Sequence, residues 1–226
     1  MKSRWCINLS LRAVLVLVPL VFANSSKADF ELGFSSGLAN WTSSDSTLVT
    51  AQNGLATITE SVLAQETNLF LDFNVPAGAT SLSFILNQVN PDQDILSPPD
   101  AFGASLLDPV TGLSLVSTVD NTTDSFYVRD VVTGVTQGQA ADGVTTSPAA
   151  DALPLLITLD VSKLIGQDAR IFFRLIAGGE LSTSNVVISD VIVHTRSVPE
   201  PGTLSLVLMG SLTLICYART RRGRIS

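Results

Sequence analysis

Cysteine is almost missing from this sequence: there are two, Cys6 and Cys216, and both lie in apolar terminal stretches. The 169 residues from Asp29 to Ser197 contain none, so that region uses neither disulfides nor thiol chemistry. Histidine occurs once, as His194 at the end of the last strand-like run, where it reads as a solvated strand end and not as the base of a triad. Trp41 and Tyr127 are the sole tryptophan and tyrosine between Asp29 and Ser197, few for a face built of aromatic platforms. There is no Gly-x-Ser-x-Gly, no His-Glu-x-x-His and no phosphate-binding glycine loop. No long segment has a 3.6-residue apolar period, which excludes a helical bundle. Positive charge is scarce as well. Asp29 to Ser197 holds nineteen acidic residues against five basic ones (Arg129, Lys163, Arg170, Arg174 and Arg196), a formal −14 where the whole chain is −7. Such a surface suits neither nucleic acid nor anionic membrane. These absences together point away from an enzyme, with no catalytic residue assigned.

What is present begins at the two ends. In residues 1–28, Lys2, Arg4 and Arg12 precede the apolar Ala13 to Ala23, and Ser26-Lys27-Ala28 offers small residues for a signal peptidase. This reads as a secretory signal peptide. At the other end, residues 198–226 open with Val198-Pro199-Glu200-Pro201, where two prolines cannot extend a strand ladder. The apolar run from Pro201 to Ala218 has eighteen residues, about 27 Å as a helix. That spans a hydrocarbon core of roughly 30 Å. Arg219, Arg221, Arg222 and Arg224 follow as a stop and hold the terminus on the cytoplasmic side.

Between the ends, residues 29–197 read as one β domain. Thr47 to Thr50 and Gly54 to Thr59 flank Asn53-Gly54, a tight-turn dipeptide. Leu69 to Phe73 and Leu82 to Leu86 alternate apolar and polar, as half-buried strands do. Further strands are expected at 102–107, 113–119, 125–129, 155–159, 169–176 and 186–193, a short helix at 161–164, and a long mobile loop over 132–151. In the 169–176 run, Arg170 and Arg174 share a face with Phe172, opposite Ile171, Phe173 and Leu175. About ten short strands with turns between them make an all-β, antiparallel β-sandwich.

Two resemblances add to this. The Pro-Glu-Pro motif, the spanning segment and the arginine-rich terminus, in that order, resemble the PEP-CTERM sorting signal of exported bacterial proteins. The resemblance implies an exosortase that recognises and removes the tail, membrane attachment through the C-terminal helix until then, and a Gram-negative-type cell surface or matrix as destination. An unprocessed single-span anchor is the plainer alternative. The opening Phe30-Glu31 with Trp41-Thr42, and the closing Val187-Ile188-Ser189-Asp190-Val191, resemble the ends of jelly-roll carbohydrate-binding modules. That resemblance implies first and last strands side by side and a structural calcium held by Glu31 and Asp190. Asp92, Asp94 and Asp100, in a proline-rich loop, are a second oxygen-ligand candidate for calcium, against the reading of a solvated loop. The expected role is structural or binding, beside extracellular polysaccharide. The alternatives are a carbohydrate-binding module acting alone, through Trp41, or a glycan-active hydrolase.

Overall fold

The computed structural model describes residues 29–61, 63–91, 100–120, 123–136, 141–148, 152–178 and 184–196, together with Ser211. The chain divides into one compact unit, residues 28–196, and a second formed by 1–27 and 197–226. Apart from Ser211 the second unit lies outside the described residues, and with it the expected signal peptide, the sorting motif and the four terminal arginines. No helix among the described residues is long and apolar enough to cross a membrane.

Within residues 29–196 the strands are β1 (Phe30–Glu31), β2 (Thr42–Ser43), β3 (Val49–Gln52), β4 (Leu55–Thr59), β5 (Glu66–Asn74), β6 (Ala79–Asn90), β7 (Ala101–Leu107), β8 (Ser125–Asp130), β9 (Val144–Ser147), β10 (Leu155–Asp160), β11 (Asp168–Ile176) and β12 (Asn185–Thr195). A 3-10 turn, Ser162–Leu164, stands where a short helix was expected. The strands form two antiparallel sheets. The larger runs β3-β4-β12-β6-β10-β9, with β1 also on β12, and the smaller runs β2-β5-β11-β7-β8. From β4 onward the chain passes back and forth between the sheets in jelly-roll order, and the first strand lies against the last.

The alternation in sequence becomes the layer between the sheets. Along β11, Ala169, Ile171, Phe173 and Leu175 are fully buried while the residues between them are partly exposed. Phe84 of β6 meets Phe173 at 5.0 Å and Phe102, Phe126 and Tyr127 at 6.4 to 6.5 Å, all edge-on. These rings join the two sheets, each worth about 1.5–3 kcal/mol of burial. At the Asn53-Gly54 turn both residues have positive φ, 53° and 80°, as a two-residue hairpin requires.

The edge of β12 changes hands. β4 pairs with residues 185–189 and β1 with 192–193, while β6 runs along the other side. Between the two lies a register shift containing Asp190, at φ 50°, a left-handed conformation that aspartate tolerates better than most residues.

Two expectations are corrected. Residues 113–119 do not form a strand. Only Ser114 bridges to Leu107, and the hydroxyls of Ser114 and Thr118 turn back onto the carbonyls of Val116 and Asp120 and so compete with a ladder. The 132–151 stretch is not one mobile loop. Asp130 accepts the N–H groups of Val132 and Thr133, and β9 pairs with β10 over four residues. Val144 is the one apolar member of β9, too little for an alternation signal.

Candidate functional site

The outward face of the smaller sheet carries the chemistry. In β5 and β11 the inward positions are apolar apart from Thr67, so the intervening residues project outward in register. Phe70 stands opposite Phe172, Asp72 opposite Arg170, and Asn68 opposite Arg174. The two phenyl rings stack with centroids 6.0 Å apart at 24°, and the Arg170 guanidinium lies 4.4 Å from the Phe70 ring centre. Arg170 donates from Nε and Nη2 to the two carboxylate oxygens of Asp72 at 2.6 and 2.8 Å. Those hydrogen bonds hold the arginine's pKa above its usual value. Four residues along β11, Arg174 donates from Nη2 to Asp124 Oδ1 at 2.7 Å and to Ser125 Oγ at 2.9 Å. It can lie flat because β7 has glycine beneath it. A Cβ on Gly103 would come within 3.0 Å of Ser125 Oγ and 3.2 Å of Arg174 Nε. Beside this face, Asp72, Phe73, Asn74, Pro109 and Asp168 line an open depression of about 380 Å³. Within it Asn74 Nδ2 donates to Asp168 Oδ1 at 2.9 Å.

Trp41 is not a surface platform. It is 8% exposed, its ring lies 4.8 Å from Phe34 and 5.9 Å from Phe173, and its Nε1 donates to the Leu32 carbonyl at 3.0 Å. The reading of Trp41 as a sugar contact is therefore overturned, because the flanking strands carry it into the layer between the sheets.

His194 is more than a solvated strand end. Its Nε2 is 2.8 Å from Ser83 Oγ and its Nδ1 3.2 Å from Asp29 Oδ2. The order Ser–His–Asp is that of a hydrolytic triad, yet Ser83 is 3% exposed and sits mid-strand with ladders on both sides. A nucleophile has to be open to its substrate, and Ser83 is closed off by the strands on either side. Asp29 also accepts the Thr195 N–H, so the line ties the first strand to the last.

Of the acidic candidates, Asp92 and Asp94 lie outside the described residues. Asp100 is buried, 1% exposed, and accepts the Gly178 N–H at 2.6 Å and the Ser184 hydroxyl. Glu60, equally buried, accepts the Ser184 N–H at 3.0 Å, so two carboxylates converge on one serine. Nothing local in sequence marks this knot, whose members lie 84 and 124 positions apart. Glu31 and Asp190 are both exposed, and Asp190 accepts the Ser189 hydroxyl at 2.8 Å. No group of three His, Cys, Asp or Glu side chains able to hold a metal occurs among the described residues.

The fold defines an all-β sandwich with a polar-aromatic outer face. No protein-family model matches the chain, and no curated protein matches it by sequence. Among solved structures it is similar to two cleaved adhesin domains of Lys-gingipain from Porphyromonas gingivalis. One is 12% identical, with a TM-score of 0.39 over 74% of this chain and 98% of that one. The other is 13% identical, with a TM-score of 0.37 over 74% and 100%. It is also similar to a sialidase, 10% identical, with a TM-score of 0.36 over 76% of this chain and 19% of the sialidase.

Proposed function

We propose that this chain is an exported cell-surface or extracellular-matrix protein, delivered through a PEP-CTERM signal, whose sandwich binds extracellular polysaccharide through the outer face of its smaller sheet. The observation that carries the binding reading is the Phe70–Phe172 stack flanked by the Arg170–Asp72 pair. Phenyl rings offer a surface to the C–H faces of sugar rings, and fixed donors and acceptors beside them orient hydroxyls. The sorting reading is carried by residues 198–226 alone, with Val198-Pro199-Glu200-Pro201 placed for cleavage outside the bilayer and Arg219 to Arg224 inside.

Binding is tested by retention of the full-length chain, purified in detergent, on immobilised polysaccharide from the source organism's matrix. Phe70→Ala/Phe172→Ala should abolish retention while leaving the circular dichroism spectrum unchanged. Wild-type chain that passes through unretained would refute it. Sorting is tested by the mass of the mature protein from its native host, where a C-terminus still at Ser226 would leave only an anchor.

A further inference from the structure

Resting on that binding reading, we propose that the ligand is an uncharged, polyhydroxylated polysaccharide chain. The face is electrically settled before any ligand arrives. Arg170 is held bidentately by Asp72, and Arg174 is held by Asp124. From Arg170 to Arg174 two guanidinium groups and two carboxylates cancel, and the exposed Asp168 and Glu66 at the ends of this face add only negative charge, so the strip attracts no polyanion. The domain as a whole, at a formal −14 over Asp29 to Ser197, disfavours the approach of acidic polymers. A polycation would bind that surface wherever acids stand and would gain nothing from the phenyl rings.

What the paired charges leave available is a donor beside an acceptor. A guanidinium carries five N–H donors and a carboxylate about four acceptor sites, so one bidentate pair leaves both types unused. The Asp72 side chain is 49% exposed and that of Arg170 27%, which puts those remaining sites at the surface. Each hydroxyl of a sugar diol both donates and accepts, and an adjacent Arg–Asp pair answers both at once. Phe70 and Phe172 lie in the next cross-strand row, and Asn68 and Arg174 in the row beyond. From Arg170 to Arg174 the face runs about 13 Å along β11, at ~3.3 Å per residue. That length suits linked rings better than a single one.

The test is affinity gel electrophoresis of the full-length chain in detergent, with dextran and galactomannan as neutral probes, alginate as polyanion, chitosan as polycation and gelatin as a protein matrix. Retardation by a neutral polymer, changing less than about twofold between low and high salt, is expected. Arg170→Gln and Asp72→Asn should each weaken it about tenfold. Lys163→Gln, on the 3-10 turn and outside β5 and β11, should not. Arg170→Lys keeps the charge and loses the planar fork, so it should melt like wild type and still bind weakly. A preference for alginate that collapses with salt, or for chitosan with indifference to both face variants, would overturn this inference and leave polysaccharide binding standing. Retardation by gelatin alone, or by nothing, would overturn both.

Discussion

Replacing Trp41 by alanine separates a core role from a surface one. Trp41 is buried between Phe34 and Phe173, and its indole N–H is the partner of the Leu32 carbonyl. Truncating a buried aromatic to alanine costs about 3–5 kcal/mol, through lost transfer energy and the cavity left behind. Leaving the Leu32 carbonyl without its donor accounts for ~1–3 kcal/mol of the damage. Trp41→Phe keeps most of the ring and removes the N–H, so it should lose roughly the smaller figure. For residues 29–197 in urea, with a slope of ~2 kcal/mol per molar, a loss of ~4 kcal/mol moves the midpoint down by about 2 M. The wild-type-like slope should persist, because the native surface area scarcely changes. A midpoint shift below about 0.5 M, with polysaccharide retention abolished, would show that Trp41 works at the surface and that its buried placement is wrong.

Gly103→Ala should destabilise the domain by about 1–3 kcal/mol and loosen Arg174 from Asp124, since the new methyl would sit 3.2 Å from Arg174 Nε; an unchanged melting temperature would contradict this packing. Hydrogen bonds from Thr47, from Thr111 and Val110, and from Ser162 hold the carboxyl pKa values of Asp45, Asp108 and Asp160 below their ordinary value. Their stabilisation is therefore complete above about pH 4 and is lost as pH falls through the depressed values, so unfolding should become easier as the pH drops below about 4, and less steeply so in Asp108→Asn. If calcium is held by Glu31 and Asp190, as the jelly-roll resemblance implies, it should add ~2.7 kcal/mol at a hundred times its Kd. Identical melting curves in calcium and in chelator would dismiss it.

The parts of the fold that could be read in sequence are those where the signal is local. Asn53-Gly54 announces its turn because both residues need positive φ, and β5, β6 and β11 announce their faces because side chains alternate with period two. Half of the candidate site was legible on the same ground: Arg170, Phe172 and Arg174 share the face that the alternation assigns them. The other half was not. Phe70 and Asp72 meet them only because β5 pairs with β11 in one register out of many, Asp72 reaching Arg170 across 98 positions of chain. Asp100 shows the limit from the opposite side. In sequence it is one of several loop aspartates, and only the arrival of Ser184 and Gly178 from a distant segment makes it an internal acceptor. Trp41 misled for a related reason. A lone tryptophan beside polar residues carries no sign of which way its strand faces.

β12 is the strand on which the larger sheet depends. It takes β6 on one side and β4 and then β1 on the other, so removing it leaves β3-β4 and β6-β10-β9 as separate ribbons and β1 with no partner. Val186, Ile188, Val191 and Val193, all fully buried, leave the core with it, and the His194–Asp29 tie is lost. Each of those side chains is worth about 1.5–3 kcal/mol, together comparable to the 5–15 kcal/mol by which a whole domain is stable. The domain should therefore be unable to close until residues 185–195 have been made, immediately before the proposed sorting motif at Val198. Residues 29–184 expressed alone should show no cooperative thermal transition, whereas 29–196 should show a single one. A cooperative transition in the shorter fragment would mean that β3-β4 and β6-β10-β9 hold together without their central strand, and that β12 is not what closes the larger sheet.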